Sequence, residues 1–420
     1  MLSVRTLLTT ILACSIGASV ALAAPIDRHG ALTVSGGKVV DKNGLPPQLR
    51  GMSFYWSQAK VGKDFYNAKV VDWMASDWNV SILRAAMAVE GDWSTAEKGY
   101  LSDPTGNKAR VKAVVDQAIA KGVYVIIDWH DHNALDHKAK AVEFFTEMSK
   151  TYGKSPNVIF EIFNEPLDVP WSSLKTYATD LLAAIRTNSD NLVIVGTGKW
   201  DTELIPPSKD PITTYKNVAY AFHMYASEEW HHTHYMKRAD SAIAAGLPLF
   251  VSEWGLSPAS GNGTLNMSWI EEFWGWMEAN KLSNCAWSIS DAAESSASLK
   301  AVTWNGDGSA KHNVSVDGGW AESDLTEGGK WLRNKFRSLN QTSVLTRSEN
   351  RCICLRGPDG RAMLKFGSAV GPGTLQVVDA KGQVKKTISV NASRSIPLDL
   401  ERGLHFVRMD NQPAVPVMVP

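Results

Sequence analysis

The sequence predicts an α/β chain: a (β/α)8 barrel of the TIM type followed by a small all-β module. Three observations carry that expectation. Short apolar, β-branched runs bounded by turn residues recur eight times, and segments with helical spacing separate them. Polar residues gather at the C-terminal ends of six of the runs, the end that forms the catalytic face in such a barrel.

The eight expected strands run from Gln48 to Phe54, Val80 to Met87, Tyr124 to His130, Val158 to Glu165, Leu192 to Gly198, Val218 to Tyr225, Pro248 to Trp254 and Asn284 to Asp291. Lys108 to Lys121 is a typical intervening helix, ending at Gly122 as a left-handed C-cap requires. A doubly wound open sheet would need a glycine-rich phosphate loop after its first strand, and Gly51-Met52-Ser53 is not one. Residues 24–340 are assigned to the barrel.

Before it, residues 1–23 read as an export signal: Arg5, an apolar run from Leu7 to Leu22, then Ala21-Leu22-Ala23-Ala24 ahead of Pro25. Ile11 and Leu12 fit poorly with lipoprotein processing at Cys14. The mature chain is expected outside the cell or on its surface, with the periplasm as the alternative compartment. After it, residues 345–420 carry 11 Lys plus Arg against 6 Asp plus Glu, so the tail is basic and the body acidic. Alternating runs at Ala362 to Phe366, Thr374 to Val378, Thr387 to Val390 and Leu404 to Met409, with turns at Pro358-Asp359-Gly360 and Ala380-Lys381-Gly382, predict an antiparallel module. It is expected to contact export machinery or the cell surface. The processed chain keeps Cys285, Cys352 and Cys354, an odd number that gives no complete disulfide framework.

Basic and acidic residues balance at 43 each, which removes the electrostatic case for nucleic acid and favours a neutral substrate. Sixteen Trp is a high count; most must fill the core, but aromatic faces also stack on sugar rings.

The run Val158 to Pro166 (VIFEIFNEP) ends in Asn164, Glu165 and Pro166, and Phe250 to Gly255 (FVSEWG) presents Glu253. Two carboxyls facing each other across a barrel mouth are the minimum machinery for glycosidic cleavage, one protonating the leaving oxygen while the other attacks the anomeric carbon. Asn164 suits a sugar 2-hydroxyl, and His223 and Tyr225 suit orientation of the carboxyls. Arg84 is expected to keep Glu253 ionised, while burial among Trp and Tyr should raise Glu165. Glu161, four residues before Glu165, is expected to sit deeper and pair structurally. His130, His132 and His137, and His231, His232 and His234, stand close in sequence, but on a helix only spacings of about three or four face one site, and a loop such as Glu228 to Tyr235 more often uses His and Trp230 to line a cleft; no metal or other cofactor is expected.

VIFEIFNEP, IIDWHDH, AFHMYA, PLFVSEWG and CAWSISD, with ILRAAM upstream, resemble glycoside hydrolase family 5, in particular its bacterial endoglucanases, over residues 30–335. The resemblance implies a retaining endo-β-1,4-glucanase acting on cellulose-type β-glucan, with Glu165 as acid/base and Glu253 as nucleophile; a monomer is expected. It implies Arg84, His130, Asn164, His223, Tyr225 and Trp287 as their surroundings, and Trp200 as a stacking platform on the aglycone side. Tyr55 stands where many relatives carry His, and Ala292 where many carry Lys. Tyr55 and Tyr66 complete the substrate-binding candidates. Activity on mannan, xyloglucan or mixed-linkage glucan, and a binding barrel without hydrolysis, are the alternatives; the latter would replace Glu165 or Glu253, and both are present.

Overall fold

Eight parallel strands close on themselves in chain order: β1 (Arg50–Phe54), β2 (Ile82–Ala88), β3 (Tyr124–His130), β4 (Val158–Glu161), β5 (Val193–Val195), β6 (Val218–Tyr225), β7 (Leu249–Gly255) and β8 (Asn284–Ile289), with β8 pairing back onto β1. The computed structural model describes residues 23–91, 97–345, 352–356, 362–370, 373–378, 384–390, 393–398, 403–409 and 415–419, so the expected export signal, all but its last residue, lies outside the described residues. Among those residues, no helix is long and apolar enough to cross a membrane.

The helices form where caps and apolar spacing agree. Pro104–Lys121 begins four residues earlier than its apolar pattern suggests, because Asp103 accepts the Gly106 amide (2.9 Å) and Pro104 needs no donor in the first turn. It ends at Gly122, whose φ of +66° is left-handed. Trp171–Arg186 buries Leu174, Tyr177, Ala178, Leu181, Leu182 and Ile185, a single face at three- and four-residue spacing. The last helix of this region, Glu327–Leu345, is fastened to the barrel's outer layer where Arg333 grips Asp77 (2.6 Å).

The inside of the barrel has two layers of different character. Ile82, Ile126, Ile159, Ile194, Phe250 and Cys285 form an apolar plug near the N-terminal ends of the strands. A hairpin of Thr33–Ser35 and Lys38–Val40 adds Leu32 and Val39 to it. Toward the C-terminal ends the inward positions become polar. The pairing between β6 and β7 slips by one residue between Ala221 and His223, a bulge that sets Glu253 beside His223.

Two expected strands are shorter than the apolar runs suggested. β4 stops at Glu161 and β5 spans three residues, so Glu165 and Gly198 lie beyond the ladder. Glu165 cannot continue a strand because its φ is +51° and Pro166 follows it.

The tail carries two antiparallel sheets. Cys352–Arg356, Ala362–Val370 and Ser393–Leu398 form one, and Val384–Val390, Gly373–Val378, Gly403–Met409 and Val415–Val419 form the other. Three of these strands, Cys352–Arg356, Ser393–Leu398 and Val415–Val419, were not expected. The side chains of Cys352 and Cys354 lie outside what is described.

Candidate active site

Arg84 is the hub at the mouth of the barrel. It is fully buried, and its three nitrogens are all used: Nε donates to Glu161 (2.6 Å), Nη1 to Glu253 (2.7 Å) and Nη2 to Asn164 Oδ1 (2.6 Å), with Asp128 2.9 Å from Nη2. A buried guanidinium is tolerable only when its charge is met, and Asp128, Glu161 and Glu253 hold it well above its ordinary pKa against burial. Glu161 lies deeper than Glu165, and burial is overcome by Arg84 and His223, which hold it at about 2. It pairs with Arg84 beneath the two facing glutamates.

Glu165 and Glu253 face each other. Glu253 accepts the Tyr225 hydroxyl (2.7 Å) on one oxygen and Arg84 on the other. Glu165 accepts His223 Nδ1 at 3.2 Å, while His223 Nε2 meets Ser252 Oγ at 3.0 Å. An oxygen of each glutamate and a ring nitrogen of His223 lie within 4.8 Å of one another. Glu165 retains 16% side-chain exposure and Glu253 4%, so the former lines the cleft and the latter sits at its floor.

The protonation balance reverses the expectation from sequence. Burial pushes the Glu165 carboxyl up, but the hydrogen bond and charge of His223 outweigh it and hold the group below the usual carboxylate range. Burial, then the charge of Glu165, pushes Glu253 above its ordinary value against Arg84. His223 is the element the sequence reading did not count as a cation. Burial would lower its pKa, but Asp201 foremost, with Glu161 and Glu165, raises it well above the histidine norm. Burial also pushes Asp201 up to about 7.

The remaining candidates divide. His130 donates to Asp128 (2.7 Å) and is kept neutral by burial and by Arg84. Its ring stacks parallel to Trp287 at 5.4 Å, and Tyr55 leans on Trp287 at 5.1 Å, so these three rings form one wall. Trp200 is 51% exposed at the rim after β5. Tyr66 is not with them: it is buried in the core, and its hydroxyl donates to the carbonyls of Tyr55 and Ala86, a brace beneath the wall and not a substrate contact. Asp291, the polar end of the eighth expected strand, accepts His312 Nδ1 at 2.7 Å instead of joining the Arg84 network. The neighbouring histidines of the second group disperse: His231 accepts the Tyr225 amide, and His232 meets Glu272.

Sequence reading missed several members. Trp56 packs edge-on against His130 at 4.2 Å, and its place directly after Tyr55 at the end of β1 could have flagged it. His132 donates to the Glu165 carbonyl (3.1 Å), and Asp201 accepts the Glu165 amide (2.9 Å). Nothing in the spacing pointed to Asp201, which follows an exposed Trp.

Residues 40–293 match the model of the cellulase family, glycosyl hydrolase family 5. The chain is 40% identical over 292 residues to Endoglucanase Z of Dickeya dadantii, covering 69% of this chain and 66% of that protein. It is 37% identical over 342 residues to Endoglucanase N of Pectobacterium atrosepticum, covering 79% of this chain and 70% of that one. The chain thus spans about two thirds of the length of these relatives. Among solved structures, the catalytic domain of Thermobifida fusca endoglucanase Cel5A, as a variant in complex with cellotetraose, superposes with a TM-score of 0.67 at 29% identity, covering 75% of this chain and all of that one. The chain belongs to glycoside hydrolase family 5, the cellulase family.

Proposed function

We propose that this protein hydrolyses internal β-1,4 bonds of cellulose-type β-glucan with retention of anomeric configuration, Glu253 acting as nucleophile and Glu165 as acid/base. The observation that carries the reading is the proximity of the two carboxyls, an oxygen of Glu165 lying within 4.8 Å of an oxygen of Glu253. Retaining glycosidases hold their carboxyls about 5–5.5 Å apart, whereas inversion needs about 6.5–9.5 Å to seat a water between carboxylate and sugar. The similarity to endoglucanases, one of them bound to cellotetraose, supports the substrate class.

In the first step a Glu253 oxygen forms a bond to the anomeric carbon as the glycosidic bond breaks, and Glu165 gives its proton to the departing oxygen. In the second, Glu165 takes a proton from water, the water oxygen bonds to the same carbon, and Glu253 leaves as carboxylate. Arg84 and Tyr225 supply donors to the developing and departing Glu253 charge. Asn164 Oδ1 is taken by Arg84, so its amide nitrogen is the end left for the sugar 2-hydroxyl.

The proton must be on Glu165 when substrate is seated. Sugar lying over Glu165 strips the water that its remaining exposure admits and raises it; once Glu165 is neutral, the charge that pushed Glu253 up is gone, and the Arg84 and Tyr225 donors favour Glu253 as the anion. Export by an N-terminal signal belongs to the same reading. The test is proton NMR of the first products from a soluble cellooligosaccharide: newly formed reducing ends should appear as the β anomer. An initial α anomer overturns the mechanism.

A further inference from the structure

Glu165 stands in a conformation that its own sequence disfavours. Its φ of +51° is left-handed for a residue with a side chain, and Pro166 restricts it further. Such a backbone persists only when its surroundings hold it.

The hold comes from the turn after β5. Lys199, Trp200 and Asp201 are themselves left-handed, at φ 55°, 56° and 59°, three in succession without a glycine. The Trp200 amide donates to the Pro166 carbonyl and the Lys199 amide to the Leu167 carbonyl, both at 2.9 Å. The third tie runs the other way: the Glu165 amide donates to Asp201 Oδ2 at 2.9 Å, and Asp201 Oδ1 accepts the Thr197 amide at 2.5 Å. Gly196 lets the two turns approach, since a Cβ there would lie 2.4 Å from the Phe163 carbonyl and 3.0 Å from the Pro166 ring. Asp201 is fully buried, touches the same His223 nitrogen that Glu165 uses (3.5 Å against 3.2 Å), and has no part in the two chemical steps.

We infer that Asp201 is a positioning residue for acid/base catalysis: its carboxylate clamps the Glu165 amide, fixing the left-handed turn that points the Glu165 carboxyl into the cleft and tying that turn to the rim carrying Trp200. The inference rests on Glu165 being the acid/base. A buried carboxylate is an expensive acceptor for two backbone amides where a neutral oxygen would do. His223 Nδ1 lies between the Asp201 and Glu165 carboxyls and is the partner both share. Asp201 thereby sets the direction of the Glu165 carboxyl and the partner it shares.

The test uses the full chain with Asp201→Asn and Asp201→Ser, assayed on two aryl β-cellobiosides. A dinitrophenyl leaving group departs without a proton, whereas an unsubstituted phenyl group needs one. A misplaced acid should cost kcat/KM roughly 10- to 100-fold on the phenyl substrate and less than about threefold on the dinitrophenyl one. The ratio of the two rates on one preparation is independent of the fraction folded, so destabilised variants remain informative. Equal losses on both substrates, or no loss on either, overturn the inference. Glu165→Ala run beside them separates the two readings. If it discriminates between the substrates and the Asp201 variants do not, only the positioning role fails. If Glu165→Ala loses both substrates equally, the acid/base assignment falls, and the positioning role with it.

Discussion

The two ends of the barrel interior are built from the same strands and have opposite chemistry. On β2, β3 and β4 the change takes two residues: Ile82 gives way to Arg84, Ile126 to Asp128 and Ile159 to Glu161. Two residues along a strand is about 6.5 Å, so a dry plug of isoleucines and Phe250 lies directly beneath a network in which one guanidinium serves Asp128, Glu161 and Glu253. The plug fixes the strand register by hydrophobic burial, and the register delivers the charges to one point. Stability and chemistry are therefore separable by depth, and mutations can show how cleanly.

The largest effect is expected from Arg84→Met at the upper layer. It leaves three buried carboxylates without their cation, which should destabilise the fold by about 3–5 kcal/mol and lower kcat by on the order of a thousandfold or more. Denaturant titration and cellooligosaccharide assays measure the two losses. Retention of both activity and stability would break the comparison. One layer down, Phe250→Ala should cost about 3–5 kcal/mol in the same titration, but kcat per folded molecule, counted by active-site titration, should stay within about twofold.

A subtler separation concerns the rim. His312 links Asp291, beyond β8, to Asp64, beyond β1, at 2.7 Å and 3.0 Å. Burial lowers the His312 pKa, but hydrogen bonds to both aspartates raise it above 6.5 on balance. A histidine raised on folding contributes its stabilisation fully below its unfolded value, and that contribution is lost as pH rises through the folded value. Exchange of the hairpin amides at Thr303–Trp304 and Ala310–Lys311, corrected for intrinsic rates, should accelerate across that window above 6.5 and lose the dependence in His312→Asn. The smallest effect is expected from removing the tail after Leu345. Hydrolysis of a short soluble substrate should stay within about twofold; a folded truncation without activity would place part of the site in the tail.

The sequence made the barrel legible because each strand is short, apolar and closed by a polar residue, and the bounds of β3 and β6 match the expectation residue for residue. It could not show where the β4 ladder ends, since Ile162 and Phe163 keep the apolar pattern while Asn164, Glu165 and Pro166 already form a turn. Position along a strand identified the paired glutamates, Arg84 and His223, because strand ends converge. It misplaced Tyr66, whose hydroxyl is spent on two backbone carbonyls, and it overlooked Asp201, which reaches Glu165 through the main chain. The proton balance was misjudged because it depends on His223 collecting Asp201, Glu161 and Glu165, a sum over three connections that no local pattern encodes.

The central claim is that Glu253, at the floor of the upper layer, bonds covalently to the sugar. A cellobioside carrying fluorine at the 2-position and an activated leaving group slows release of the intermediate and allows it to accumulate. Proteolysis and mass spectrometry of the labelled protein should place one disaccharide on the peptide containing Phe250-Val251-Ser252-Glu253-Trp254-Gly255, at Glu253. A label on Glu165, or an active enzyme that never acquires one, would contradict the account.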